Sequence, residues 1–144
     1  MRLVVDANIL VAELIRKRGR ELIIHPALEL YMAQMAWEET CHELGKRVEK
    51  MVQKGVFSQE VGQNLFTDAV ALAETRVAVV PHEVYASSET IARSRIPRDP
   101  NDWFTVALAL VLQAGIWTND GDFLGCGLPT WTTETLFSHL SLSS

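Results

Sequence analysis

Residues 98–123, RDPNDWFTVALALVLQAGIWTNDGDF, contain the pattern that decides the fold. They open on an acidic turn, and a continuous apolar run follows that predicts a helix over residues 99–113. Residues 115–118 then predict a strand, which leads into a second acidic turn. A helix followed by a short apolar strand is typical of α/β proteins with a parallel sheet.

The rest of the chain alternates strand and helix patterns in the same way. Short apolar runs predict strands at residues 3–5, 29–33, 77–80 and 130–132. Helical spacing predicts helices at residues 7–17, 35–54, 58–74, 82–95 and 133–140, with Gly19 as the stop of the first. This alternation implies right-handed crossovers and a sheet covered on both faces. We therefore predict a three-layer α/β/α sandwich with a central parallel sheet.

Length and composition fit one compact domain over residues 1–144. The N-terminus shows no charged leader or cleavage site, so we expect no signal peptide. The longest apolar stretch is interrupted by Gln113 and Gly115 and is too short for a membrane span. Cys41 and Cys126 have no metal-ligand spacing and suggest reduced thiols, although one disulfide stays open. We expect a cytoplasmic protein without membrane attachment.

The formal net charge of -5 argues, taken alone, against a protein that binds nucleic acid. Most basic residues nevertheless fall in three short clusters: Arg16, Lys17, Arg18 and Arg20; Lys46, Arg47, Lys50 and Lys54; and Arg93, Arg95 and Arg98. Each cluster either forms a local positive strip for phosphate contact or is an ordinary solvated helix face. Arg98 and Lys46 are the candidates for holding flanking phosphates.

Aspartates are concentrated in three short motifs. Five of the six lie in residues 5–8, 98–103 and 118–123, and only Asp68 lies elsewhere. The first and third motifs follow predicted strands, and the second opens a predicted helix. In a parallel α/β sheet all three positions lie at one edge, so we expect their carboxylates to share a cleft.

Carboxylates at short range do not all stay ionised unless cations compensate them. The natural partner is Mg²⁺ or Mn²⁺, which prefers oxygen ligands and keeps several waters. Such ions bind phosphate oxygens and lower the pKa of a bound water. The pattern therefore predicts metal-dependent phosphodiester hydrolysis.

Each motif also has a purely structural interpretation. Asp6 is placed to cap the following helix. Asp99 is well explained as an N-cap before Pro100, whereas capping explains Asp102 less well. Residues 119–122 are also compatible with a plain turn. The structural interpretations become less convincing when the three motifs are considered together, because independent caps and turns need not converge on one edge of a sheet.

A fourth acid is available from the helix after the second strand, where Glu38, Glu39 and Glu43 are candidates. The expected buried stripe of that helix consists of Trp37, Cys41, Leu44, Val48 and Met51. Glu39 lies roughly opposite this stripe. It is therefore either a ligand that faces the cleft or a solvated residue.

With these motifs, the sequence resembles the PIN-domain family over nearly its whole length. The resemblance is most specific where Asp99-Pro-Asn-Asp102 leads through the apolar helix into Thr118-Asn-Asp120-Gly-Asp122. It implies metal-binding acids at Asp6, Glu39, Asp102 and Asp120, with Asp122 as a further ligand. It also implies that Asp99 lies nearby and that Asn8 and Thr118 steady the acids by hydrogen bonding.

What the resemblance implies for function is a ribonuclease that uses Mg²⁺ or Mn²⁺. Many PIN proteins of this size are VapC-like ribonuclease toxins, often homodimeric and held inactive by a cognate antitoxin. The two long helices predicted between residues 38 and 74 depart from the short-loop pattern common in those toxins. The alternative from another class is a non-catalytic PIN domain that binds RNA or acts as a scaffold.

Two other Mg²⁺-dependent phosphotransfer classes fit poorly. A haloacid-dehalogenase phosphatase needs a second aspartate two residues after the first, where this chain has Asn8. A phospho-accepting receiver needs a lysine late in the chain, and no lysine follows Lys54.

Three tryptophans flank the acidic motifs: Trp103, Trp117 and Trp131. They either stack bases or pack in the core. Core packing is favoured, because each adjoins an apolar run.

Overall fold

The computed structural model describes residues 1–140 and contains one parallel sheet with helices between its strands. The strands are β1 (Arg2–Val5), β2 (Glu29–Ala33), β3 (Val77–Val80), β4 (Gly115–Trp117) and β5 (Thr130–Trp131). The helices are α1 (Ala7–Ile15), α2 (Lys17–Ile23), α3 (Gln34–Gln53), α4 (Gln59–Arg76), α5 (His82–Tyr85), α6 (Glu89–Arg95), α7 (Trp103–Leu112) and α8 (Thr133–His139). Short 3₁₀ turns occupy Ala86–Ser88, Pro100–Asp102 and Gly121–Phe123.

The strand order is β3-β2-β1-β4-β5, and every neighbouring pair is parallel. Strand β1 occupies the middle, where Leu3, Val4 and Val5 are completely buried. A strand covered on both faces needs apolar side chains on both, which explains the uninterrupted apolar run. The predicted α/β/α sandwich with a parallel sheet is confirmed.

The first helix differs from the prediction, because Gly19 does not end it. Helix α1 ends at Ile15, and Gly19 lies inside the second helix, α2. A side-chain carbon at Gly19 would collide with the side chain and carbonyl of buried Glu13. Arg20 also donates hydrogen bonds to the carbonyls of Leu14 and Ile15 at the end of α1. Gly19 therefore allows helices α1 and α2 to approach each other closely.

Helices α3 and α4 pair as a long hairpin, and Gly55 with φ 75° lies in the turn between them. The buried stripe of α3 differs from the predicted one. Its buried residues are Ala36, Thr40, Leu44 and Val48, whereas Trp37, Cys41 and Met51 are half-buried. Helix α3 contacts α1, α4 and β2, and these neighbours bury a different face of it from the predicted one.

Two other predicted helices are interrupted. Residues 82–95 form α5, a 3₁₀ turn and α6. Helix α7 begins only at Trp103, because the Pro100–Asp102 turn precedes it. Within residues 1–140, no helix is long and apolar enough to cross a membrane.

Candidate active site

The predicted acids lie where the topology expects them, at the carboxyl edge of the sheet. Asp6 directly follows β1, and Asp120 lies just beyond the end of β4. Glu39 is in the second turn of α3, which begins at the end of β2. Asp102 ends the 3₁₀ turn that leads into α7. Four separate segments therefore bring acids to this edge.

Asp6 is buried, with 7% of its surface exposed. Its Oδ2 accepts a hydrogen bond from Thr118 Oγ1 at 3.0 Å, and its backbone N–H donates to the carbonyl of Trp117 at 3.0 Å. Although Asp6 occupies the N-cap position of α1, its side chain makes no capping hydrogen bond. The capping interpretation of Asp6 is therefore wrong, and its carboxylate is available for another role.

Thr118 links the first acidic motif to the third. Its hydroxyl donates to Asp6 and accepts the backbone N–H of Asp120 at 2.9 Å. The residue is buried, with 3% exposed, so water does not compete for these bonds. The contact agrees with the steadying role that the sequence suggested for Thr118.

The third motif is a turn whose acids are used in two ways. Asp120 Oδ1 accepts the backbone N–H of Asp122 at 2.9 Å, which closes the turn. Asp122 in turn forms an ion pair with Arg98, at 3.2 Å between Oδ1 and Nε. One carboxylate oxygen of Asp120 therefore closes the turn, as the turn interpretation expected. Asp122 pairs with Arg98 at the rim of the site.

The carboxylates of this edge influence one another electrostatically. Burial raises the pKa of Asp6 from 3.8 to about 6; the Thr118 hydroxyl opposes this, and the charges of Asp120 and Glu39 add to it. Burial likewise raises the pKa of Asp102 from 3.8 to about 7, and the charges of Asp99, Asp6 and Glu39 raise it further. The charges of these acids therefore act on one another across the edge of the sheet.

Three further candidates take distinct positions. Glu39 is an exposed residue whose pKa is raised by partial burial and then by the Glu43 carboxylate, so both glutamates belong to this side of α3. Asp99 makes no side-chain capping bond, so the capping interpretation is wrong for it too. Asn8 lines a cavity of about 250 Å³ with Asp6 and Asp120. Thr118, rather than Asn8, holds Asp6.

Comparison with known proteins decides the family. A family model described as PIN domain matches residues 4–141. The chain belongs to the PIN-domain family. Its residues 1–140 thus supply the acidic edge of a PIN domain, and PIN domains are generally nucleases that use divalent metal ions.

Two solved structures share this PIN fold at low sequence identity. A toxin–antitoxin complex from Klebsiella pneumoniae contains a chain that is 16% identical, with a TM-score of 0.56; the match covers 91% of this chain and 97% of that one. A crystal structure of FitAcB from Neisseria gonorrhoeae gives 18% identity and a TM-score of 0.60, over 93% and 99% of the two chains. No curated protein matches the chain significantly.

The donor set of this PIN domain suits a hard divalent cation. All the ligand candidates are carboxylate oxygens, which such ions prefer. Among residues 1–140, no ion pair involves Asp6, Asp102 or Asp120. In the same range, no group of three or more acidic, histidine or cysteine side chains is arranged to hold an ion as it stands. Uncompensated carboxylates repel one another, and a cation would draw them together.

Most arginines near the PIN fold's acidic edge have structural partners. Arg93 pairs with Glu89 and lies over the ring of Trp103, and Arg95 donates to the carbonyl of Cys126. Arg98 is different, because 78% of its side chain is exposed and its partner is Asp122. Of the three arginines in this cluster, Arg98 therefore pairs directly with an acid of the third motif.

We expect Thr118→Val to weaken divalent-metal binding about 10-fold, since second-layer hydrogen bonds typically contribute that much or more to metal sites. The change keeps the shape of the side chain but removes the donor to Asp6 and the acceptor of the Asp120 N–H. Calorimetric titration with Mn²⁺ measures it. Thr118→Ser, which keeps the hydroxyl, is the matched control; equal weakening by both changes would contradict the role of the hydroxyl.

Proposed function

We propose that this PIN domain is a metal-dependent endoribonuclease that hydrolyses RNA phosphodiester bonds. The observation that supports this most directly is the convergence of Asp6, Glu39, Asp102 and Asp120, from four separate segments, at the carboxyl edge of the sheet. Folding brings acids together at a cost when no cation is present, and perturbed carboxylates in a cleft are typical of functional sites. A cation bound between them would offset that cost.

The metal ligands in this proposal are Asp6, Asp102, Asp120 and Glu39. When bound, Mg²⁺ or Mn²⁺ would polarise the scissile phosphate and lower the pKa of an attacking water. Thr118 hydrogen-bonds to the Asp6 carboxylate and to the Asp120 backbone, which holds these two segments together. Asp99 reinforces the negative field at Asp102. Arg98 lies at the rim, where its exposed guanidinium can exchange Asp122 for a phosphate of the RNA chain.

The partners are part of the same proposal. One of the solved structures with this fold is a toxin–antitoxin complex, so we propose that this chain is the toxin of such a pair and is restrained by a cognate antitoxin. We also propose that it acts as a homodimer in the cytoplasm. A cavity of about 600 Å³ between α3 and α4 is lined by residues near the turn that joins the two helices, and Glu39 is not among them.

Metal removal tests the nuclease directly. Purified protein is expected to cut a mixed-sequence single-stranded RNA in Mg²⁺ or Mn²⁺, and EDTA is expected to stop cutting because the carboxylates alone do not activate water. Gel analysis of end-labelled RNA, with dialysis back into metal as the recovery control, measures both. Cutting that continues in EDTA would contradict the proposed metal dependence.

The alternative function predicts another outcome. A non-catalytic PIN domain would retain RNA binding without cutting, and metal would not raise the melting temperature of the folded protein. That combination would overturn the nuclease and support a binding module instead.

A further inference from the structure

The indole rings of Trp103 and Trp117 are not free to receive a nucleobase. Trp117 is completely buried, and Trp103 is only 4% exposed. The ring of Trp117 is also engaged, because its Nε1 donates to Thr133. The exposed ring next to Trp103 is instead that of His82.

His82 lies at the acidic edge. It begins α5, two residues after β3 ends at Val80, and so stands at the same end of the sheet as the acids. Its ring centroid is 5.9 Å from that of Trp103, the residue that follows Asp102 in the chain. We therefore expect a nucleotide next to a phosphate held through a cation at Asp102 to lie on the same side of the sheet as this ring.

The imidazole is held in place without being covered by a parallel ring. Its contacts with Tyr85 and Trp103 are both edge-on, with interplanar angles of 75° and 83°. Tyr85 is completely buried, and Arg93 lies over Trp103, so both supporting rings are themselves fixed. A base that stacks on an already ordered ring loses less conformational entropy on binding.

The charges around His82 favour a base over a phosphate. Glu83 is the next residue and is exposed. Burial raises the pKa of the neighbouring Tyr85 hydroxyl, and the carboxylates of Glu38 and Glu83 raise it further, which places both near this ring cluster. Two carboxylates repel a phosphate, whereas stacking depends on the ring face.

We propose that His82 is a stacking subsite for one base of a single-stranded RNA, next to the scissile phosphate. The inference rests on the proposed ribonuclease function. It assigns this ring to substrate binding and leaves the hydrolytic step to the acids.

The test compares His82→Ala, His82→Phe and His139→Ala. His139 is a matched control, because it is also exposed and packs against a tryptophan, at 4.9 Å from Trp131, but it ends α8 beside β5, at the opposite end of the strand order from β3. We expect His82→Ala to raise KM for an RNA of about ten nucleotides by at least about 5-fold, with kcat nearly unchanged. His82→Phe and His139→Ala should behave like the wild type.

RNAs with a single abasic site identify the stacked base. At one position the abasic site should raise the KM of the wild type and have no effect on His82→Ala. Binding measured by fluorescence anisotropy, in an Asp102→Asn background that suppresses cutting, should repeat this pattern. Cutting by the wild type with an unchanged KM in His82→Ala, or equal losses in His82→Phe and His82→Ala, would overturn the stacking role alone. A wild type that neither binds nor cuts RNA would overturn the proposed function and this inference with it.

Discussion

Asp102→Asn is expected to abolish RNA cutting and to raise the melting temperature of the metal-free protein. Loss of activity of at least about 100-fold follows because a metal-binding carboxylate contributes several kcal/mol to transition-state stabilisation. The stability gain has a separate cause. The pKa of Asp102 is raised to about 7, so at pH 8 the folded protein carries a charge there that burial and the neighbouring carboxylates disfavour. An amide of the same shape carries no charge and removes this destabilisation.

Asp68→Asn is the control, since Asp68 is exposed on α4 and lies outside the three motifs. It should leave activity and melting temperature unchanged within error. Cleavage assays and thermal unfolding in EDTA at pH 8 measure both quantities. An Asp102→Asn protein that loses activity and also melts at lower temperature would show that Asp102 has a structural role, and would contradict the electrostatic account.

The stability of the metal-free protein should fall as the pH rises from 5 to 8. Asp6 and Asp102 have folded-state pKa values of about 6 and about 7, above the ordinary 3.8, so the folded state binds more protons in this window. Their contribution is therefore greatest at low pH and is lost as the pH passes the folded-state values. Asp6 alone accounts for about 1 kcal/mol between pH 5 and pH 8, or roughly 3–5 °C in Tm.

Divalent metal should reverse this dependence. Mn²⁺ competes with protons for the same oxygens, so it should raise Tm strongly at pH 8 and weakly at pH 5. Differential scanning fluorimetry across pH, with and without Mn²⁺, measures the effect. The Asp6→Asn/Asp102→Asn double variant provides the reference for all other titrating groups. A double variant with the same pH slope as the wild type would mean that the slope arises elsewhere.

The sequence predicted the sheet and the placement of the acids because both depend on local patterns. Apolar runs such as Leu3–Val5 identify central strands, and parallel topology then places whatever follows each strand at one edge. Asp6 and Asp120 were predicted in this way, and Asp102 was predicted because it opens the helix that leads into β4. The hydroxyl of Thr118 was also identifiable, since it stands between a strand and an acid.

The remaining differences come from contacts that the sequence does not display. Gly19 has the pattern of a helix stop, and only the proximity of Glu13 shows why a helix continues through it. Asp99 has the pattern of a cap, yet its backbone leads into a 3₁₀ turn and its charge acts on Asp102. No local sequence pattern marked His82 as a candidate for substrate binding. Its position beside Trp103 depends on the fold, which brings together two residues that are distant in sequence.

The length of α3 determines how far a disturbance of the hairpin reaches. Its 20 residues make a rod about 30 Å long, and Glu39 lies about 8 Å from the end that is anchored to the sheet. If the rod swings by about 5° around that anchor, its tip moves by about 2.6 Å but Glu39 by only about 0.7 Å. Because Glu39 lies close to the anchored end, the distal half of the hairpin can change its sequence, its loop or its neighbours while Glu39 hardly moves.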